Sequence, residues 1–397
     1  MAYKFNRREM AGSLGDLGTI LPLSTGMIVI NGLDPLGLFL SVGLFYIFSG
    51  AYFRVTTPVE PMKVIGAYAV ATGMSASQLA ASGALMGVIL LFIGVSGVIT
   101  FIGRHIPKQV VRGVQLSTGV LLISQGVKLM LGTSKFQLLS KASEPYLTVN
   151  TLGVVPVGML IGVVLGVATL FLLENKRFPA ALVIVLTGLA IGLFLGAHEG
   201  FNEMKLGINL PRLLPLGFPS VGEFMSALLI LVIPQVPMTL GNAVVANADL
   251  SAEYFGQSSK RVTYNALCIS MALGNFLSFF LGGMPMCHGA GGLASRYRFG
   301  ARTAGSNVII GLIFVLLAIL LGEQALSVLH LLPMSALGVL LLFAGSQLAL
   351  TILDVRERKE LFVVLMILGI TLASNLAAGF VTGIAIAYAL RSDKLNV

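Results

Sequence analysis

The sequence predicts an all-α, polytopic membrane protein with fourteen transmembrane segments in two inverted seven-span repeats. Three observations carry that expectation. The 397 residues are 56% hydrophobic and only 10% charged, with a mean hydropathy of +0.94. That is more apolar surface than a soluble core hides, so the chain is expected to be an integral, multi-pass protein of the lipid bilayer. Second, apolar runs of the ~20 residues needed to cross ~30 Å of hydrocarbon follow one another from end to end. Third, sequence anchors recur in the same order at nearly one period.

The runs fall at 11–31, 35–53, 61–76, 78–102, 108–130, 152–173, 178–197, 222–245, 262–281, 286–296, 303–322, 333–351, 359–374 and 376–391. Those starting at Pro61 and Met286 are short, and each follows an extended stretch rich in Gly, Pro or Thr, YFRVTTPVEP and FFLGGMP. They are expected to be half-helices preceded by short strands. Alternating sides from a cytoplasmic amino terminus places nineteen of the 25 basic residues in inside loops. Lys128, Lys135, Lys141, Lys205 and Arg212 fall outside, and Lys63 falls within a span. The first residues carry Lys4, Arg7 and Arg8 but no short apolar core with a small-residue cleavage site, which predicts a retained cytoplasmic tail. The expected location is the plasma (inner) membrane with cytoplasmic amino and carboxyl termini.

Leu17-Gly18 recurs as Leu240-Gly241, Pro61-Met62 as Pro285-Met286, and the pattern Pro107, Gly113, Val114, Leu116 as Pro333, Gly338, Val339, Leu341. The repeats span residues 1–200 and 215–397. An odd number of spans per repeat turns the second copy upside down, the arrangement of many secondary carriers. The competing explanation is that these are glycine-rich packing surfaces, common in membrane helices. Spans 1–4 and 8–11 are expected to form a core domain and spans 5–7 and 12–14 a gate domain, with Gly113, Gly119, Gly338 and Gly345 allowing close packing in the gate.

The net charge of +9 is spread between apolar segments, which serves topology and argues against a nucleic-acid partner. Cys268 and Cys287 lack metal-ligand spacing. Without a nucleotide loop, a metal-ligand cluster or a nucleophile–base pair, neither an enzyme nor a cofactor is expected.

Broken spans mark a cavity, because unpaired backbone groups at membrane depth need protein or water around them. Pro61 and Pro285 suit the first turn of a helix. Two opposed helix starts near the midplane, each carrying about +0.5 of effective charge, invite an anion. Lys63, flanked by Met62 and Val64, lies in one first turn; its partner is either the substrate or Glu60. Met286, Cys287, His288 and Gly289 lead the other, where His288 donates to an oxyanion, relays protons or caps structure. Asp16 and Thr19 on the first span, and Gln235, Thr239 and Asn242 on its repeat mate, flank both. Asp16 is alternatively a helix-start acid near the cytoplasmic end. Asp249 and Glu253 are expected at the inner boundary, and Arg296, Arg298 and Arg302 as inside-loop anchors. Lys63 and two helix ends sum to about +2. An ionised Glu60 would upset the match to a dianion, so Glu60 or Asp16 is expected to bind the coupling proton.

GDLGTILPL (15–23), PVEPMK (58–63), PQVPMTLGNAV (234–244) and PMCHGAGGLASRYRFGAR (285–302) resemble the molybdate transporter family, a relative of the sulfate permeases. Members of that family often have Gln at the position of Glu60. The resemblance implies a uracil permease-like fold, molybdate as substrate and, as in many such carriers, a homodimer. The expected function is molybdate transport by alternating access coupled to protons; a sulfate carrier or a passive anion channel of the same fold are the alternatives.

Overall fold

The computed structural model describes residues 3–99, 107–139, 151–152, 155–173, 175, 179–194 and 207–391. Lys141, Lys205 and the ends of the predicted spans 78–102 and 178–197 lie outside them. The first half runs α1 (Arg7–Ser13), α2 (Leu17–Val29), α3 (Pro35–Phe53), β1 (Glu60–Pro61), α4 (Lys63–Thr72), α5 (Ala76–Ser96), α6 (Lys108–Leu131), α7 (Lys135–Leu139), β2 (Thr151–Leu152), β3 (Val155–Pro156), α8 (Val157–Leu172) and α9 (Ala180–Phe194). The second runs α10 (Val221–Ser259), α11 (Tyr264–Leu281), β4 (Met286–Cys287), α12 (Ala290–Phe299), α13 (Gly305–Leu321), α14 (Ala325–His330), α15 (Met334–Ala349), α16 (Arg358–Ala373) and α17 (Leu376–Ala389).

Each predicted run thus contains a helix, and among the described residues seven helices are long and apolar enough to cross a membrane. Large apolar side chains stand uncovered on the outer surface, Phe92 at 66%, Phe171 at 82% and Phe194 at 92% exposure. Hydrocarbon, not water, is the solvent that suits such a surface.

Local sequence sets the helix ends. Asp34 accepts from the Gly37 amide at 2.8 Å and Pro35 occupies the first turn of α3. Ser75 and Gln78 close a capping box on α5. The run predicted at 11–31 is divided between α1 and α2 at residues 14–16, where Gly12 and Gly15 abut the backbone of Ala301 and Arg296 with no room for a Cβ. The run predicted at 222–245 extends further, to Ser259. Pro234 and Pro237 remove amide donors from α10, and π-helical turns at Leu228–Val232 and Thr239–Ala246 flank them.

Helices from the two halves pack in pairs, α3 on α13, α5 on α11 and α6 on α15. Glycines allow the backbones to touch. A Cβ added to Gly43 would sit 2.7 Å from the Gly311 carbonyl oxygen, and one on Gly311 equally close to that of Gly43. Gly119 and Gly345 face each other across α6 and α15 in the same reciprocal way, at 2.6 Å. Gly126 meets Gly338 there, while Gly113 receives Ile367 of α16.

β1 and β4 join the halves. Glu60 pairs antiparallel with Cys287 and Pro61 with Met286, and the Met62 amide donates to the Pro285 carbonyl at 2.9 Å. This corrects the predicted helix starts: α4 begins at Lys63 and α12 at Ala290, so Pro61, Pro285, Met286 and Cys287 lie in extended chain. A proline has no amide to give a ladder, and Pro61 and Pro285 serve it through conformation and a carbonyl instead.

Candidate anion site between two helix starts

A cavity of about 540 Å³ lies against these helix starts. One wall carries Thr19, Pro22, Glu60, Lys63, Asn242, Gly291 and Ser295; the other carries Arg112, Gln115, Phe343, Gln347 and Thr351.

Glu60 and Lys63 form an ion pair at 3.2 Å, with the carboxylate fully buried and the lysine side chain 19% exposed. The Thr19 hydroxyl donates to the other carboxylate oxygen at 2.6 Å. That carboxylate also lies against the start of α12. A Cβ on Gly292 would sit 2.8 Å from Glu60 Oε1, and one on Gly289 would overlap Glu60 Oε2. Only glycine lets an anionic group come this near the first turn. The Asn242 amide nitrogen lies 3.4 Å from the same Gly289 position and faces the cavity.

The α4 start is satisfied from elsewhere. Met62 at its N-cap offers no side-chain acceptor, and Gln235 Oε1 accepts from the amides of Val64 at 2.9 Å and Ile65 at 3.2 Å. Gln235 Nε2 donates to Thr239 Oγ1 at 2.9 Å, which fixes the orientation of the amide. Gln235, expected as a substrate ligand, thus caps α4, and Thr239, expected as another, holds the Gln235 amide. Met62 and Val64 are fully buried, away from the cavity lining.

The β4 side is equally well tied down. Asn275 of α11 accepts from the Met286 amide at 3.0 Å and donates to the Met286 carbonyl at 2.8 Å. Asn307 of α13 brackets Thr57 in the same manner, at 3.0 and 2.8 Å. His288 is fully buried; its ring nitrogens meet the Pro58 carbonyl at 2.7 Å and Ser270 Oγ at 2.9 Å. Phe45 and Phe53 cover the ring, and Asn247 donates to the His288 carbonyl at 2.6 Å. Of the readings open for His288, the structural one fits this geometry. Cys287 Sγ faces the Pro61 carbonyl at 3.9 Å.

Arg296 departs most from expectation. It is no loop anchor: its side chain is fully buried and pairs with Asp16 at 3.2 Å. It also donates to Thr56 at 2.9 Å and to Ser306 and Asn307 at 3.0 Å each, with Tyr46 beneath its guanidinium at 5.1 Å. Tyr46 donates to Asp16 at 2.6 Å. This network holds the far end of α12 and takes Asp16 out of the cavity lining. Asp249 and Glu253 are exposed, Asp249 beside Tyr264 at 3.1 Å. Asn275, Asn307 and Tyr46 were not anticipated; an asparagine in an apolar helix is the signal that finds the first two, since it needs a partner in hydrocarbon.

A family profile described as "Molybdate transporter of MFS superfamily" matches residues 8–122 and 227–348, which contain both helix starts. Molybdate transporter 2 of Arabidopsis thaliana is 30% identical over 98% of this chain and 88% of its own length. Among solved structures, the transmembrane domain of the cyanobacterial bicarbonate transporter BicA superimposes with a TM-score of 0.67 at 16% identity, covering 97% of this chain and 98% of that one. SLC26A9 superimposes with a TM-score of 0.67 at 14% identity over 97% of this chain, which spans 65% of the SLC26A9 chain. At such identities the likeness is one of fold.

Proposed function

Because the chain belongs to the molybdate transporter family, we propose that it is a secondary active carrier that moves molybdate across the membrane by alternating access, coupled to protons. One observation carries this reading: the Glu60 carboxylate is lodged between the Lys63 ammonium and the glycine-rich start of α12. The place where an oxyanion would sit already suits a carboxylate.

The charges argue for the coupling. The start of α4 is answered by Gln235, which leaves Lys63 and the α12 end, about +1.5 together. With Glu60 ionised the site falls to about +0.5, a poor match for a dianion; with Glu60 protonated it returns to about +1.5. A proton on Glu60 therefore accompanies the substrate, whose oxygens take Lys63, the α12 amides, Thr19 and Asn242. The carboxylate of Asp16 already has Arg296 and Tyr46, which favours Glu60 as the coupling acid.

The architecture in this reading is fourteen crossings in two inverted repeats. The pairing of α3 with α13 and of α5 with α11 supports it, because exchanging the repeats converts one pair into the other, while α6 with α15 maps onto itself. Spans 1–4 and 8–11 form the core that carries the site; spans 5–7 and 12–14 form the gate, the wall bearing Arg112, Gln115 and Thr351.

Uptake into proteoliposomes tests this. An acid-outside proton gradient drives molybdate accumulation by the native protein, rising as outside pH falls. Glu60→Gln loses that dependence while still exchanging molybdate down its gradient. A native pH profile in Glu60→Gln removes Glu60 as the coupling group. Competition among molybdate, tungstate and sulfate ranks the substrates, with preference for sulfate overturning the assignment, and single-channel currents would replace a carrier by a channel.

A further inference from the structure

We propose that Gln115, held by Arg112 and Thr351, forms a second oxyanion subsite on the gate wall of the cavity, a station for the anion distinct from the helix starts. This rests on the reading of the chain as an oxyanion carrier. Gln115 lies on the second turn of α6, is 3% exposed and lines the cavity. Its Oε1 accepts from Arg112 Nη1 at 2.8 Å and lies 3.0 Å from Thr351 Oγ1, whose hydroxyl is shared with the Leu348 carbonyl at 2.8 Å. Arg112 can only donate, so its bond settles which way the amide faces, since the reversed amide would set its N–H groups against the guanidinium. The Nε2 group has no acceptor among the described residues, so a polar donor on a cavity-lining side chain is left for water or a ligand.

The surroundings make this donor selective. Arg112 is itself fixed by a two-point bond to Asp354, Nε to Oδ1 at 2.9 Å and Nη2 to Oδ2 at 2.6 Å, and Lys108 reaches Asp354 at 3.1 Å. Two cations against one carboxylate leave a positive surplus, and the arginine bond polarises the Gln115 amide in the donating sense. A group that only donates accepts a ligand that only accepts. Every oxygen of a tetrahedral oxyanion does so, whereas an alcohol or a nucleobase also brings donors. Because Asp354 takes the Nε/Nη2 edge of the guanidinium and Gln115 takes Nη1, Arg112 does not clamp the anion in a two-point grip. The station holds its ligand loosely enough to pass it on to Lys63.

Tungstate, a tetrahedral oxyanion with strong anomalous scattering, reports on both places in crystals of the full chain, alongside molybdate uptake kinetics in proteoliposomes. The expected result is one tungsten peak beside Lys63 and another within hydrogen-bonding distance of Gln115 Nε2. Gln115→Glu keeps the size of the side chain and exchanges its donors for an acceptor. It is expected to abolish the second peak alone and raise KM about 10-fold, the size of one lost hydrogen bond, with kcat nearly unchanged. Gln115→Leu gives the same split, and Thr351→Val, which loosens the clamp but keeps the donors, a smaller one. A lone peak at Lys63, or native KM in both Gln115 variants, overturns the subsite while leaving the helix-start reading intact. A lone peak at Gln115 upholds the subsite and removes the helix-start site; the absence of both overturns the two together.

Discussion

The two half-helices have opposite fates at their starts. At α4 the first amides are consumed by the Gln235 carbonyl, an internal neutral cap. At α12 no side-chain cap is present, and a carboxylate stands in front of a run of glycines. At their other ends both stop on a glycine in the left-handed conformation, Gly73 for α4 and Gly300 for α12, and the last turn of α12 also carries the buried Arg296 network. In the proposed reading, one helix start serves structure and the other the ligand. The difference teaches that the two starts are electrostatically unequal, and the proposed anion site would accordingly be asymmetric, with one lysine from the first half and one helix end from the second.

Breaking the anchorage of α12 should have the largest effect. Arg296→Met removes the cationic partner of a fully buried acid, and breaking a buried pair from one side costs about 3–5 kcal/mol. The measurement is thermal unfolding in detergent, where this variant falls far below the native protein. Asp16→Asn combined with Arg296→Met removes both charges and recovers most of the loss.

Crowding the α12 start ranks next. Gly292→Ala places a methyl group 2.8 Å from Glu60 Oε1 and 2.9 Å from the Pro58 side chain, so the carboxylate has to move. Overpacking of this kind costs about 1–3 kcal/mol and should appear as weaker molybdate binding. Gly291→Ala is the control: its nearest neighbour is Lys63 Nζ at 3.7 Å, an ordinary contact, and affinity should stay near native.

The smallest effect is expected at the α4 start. Gln235→Leu uncaps two amides, about 1 kcal/mol of stability by analogy with N-cap losses. Its signature is a modest fall in melting temperature with molybdate affinity largely kept. An affinity loss as large as that of Gly292→Ala would show that the α4 start also contacts the anion, and the asymmetry would vanish.

Much of the fold could be read from the chain because hydropathy and proline placement are local. Each apolar run holds a helix, and the Glu60–Lys63 pair follows from three-residue spacing. The half-helix starts were misplaced by two and four residues because a Pro-Met dipeptide fits a first helical turn and a two-residue strand equally well; what selects the strand is a partner in the other half. Arg296 looked like a loop cation since it lies in the basic run RYRFGAR, and nothing near it in sequence shows Asp16 waiting on another helix. Gln235 shared a motif with Thr239 and Asn242, yet only the missing acceptor at Met62 hints that α4 needs a cap from outside. His288 allowed three readings in sequence because its partners, Pro58, Ser270 and two phenylalanines, all lie far from it along the chain.

The short ladder between β1 and β4 also orders events during synthesis. Its strands lie more than 220 residues apart, so the first half enters the membrane long before its companion strand exists. Lys63 would then face hydrocarbon alone, were Glu60 not one turn away on the same nascent segment. The residue that answers the ammonium ion in the finished protein is thus also the earliest one able to shield it, before any substrate seat has been assembled.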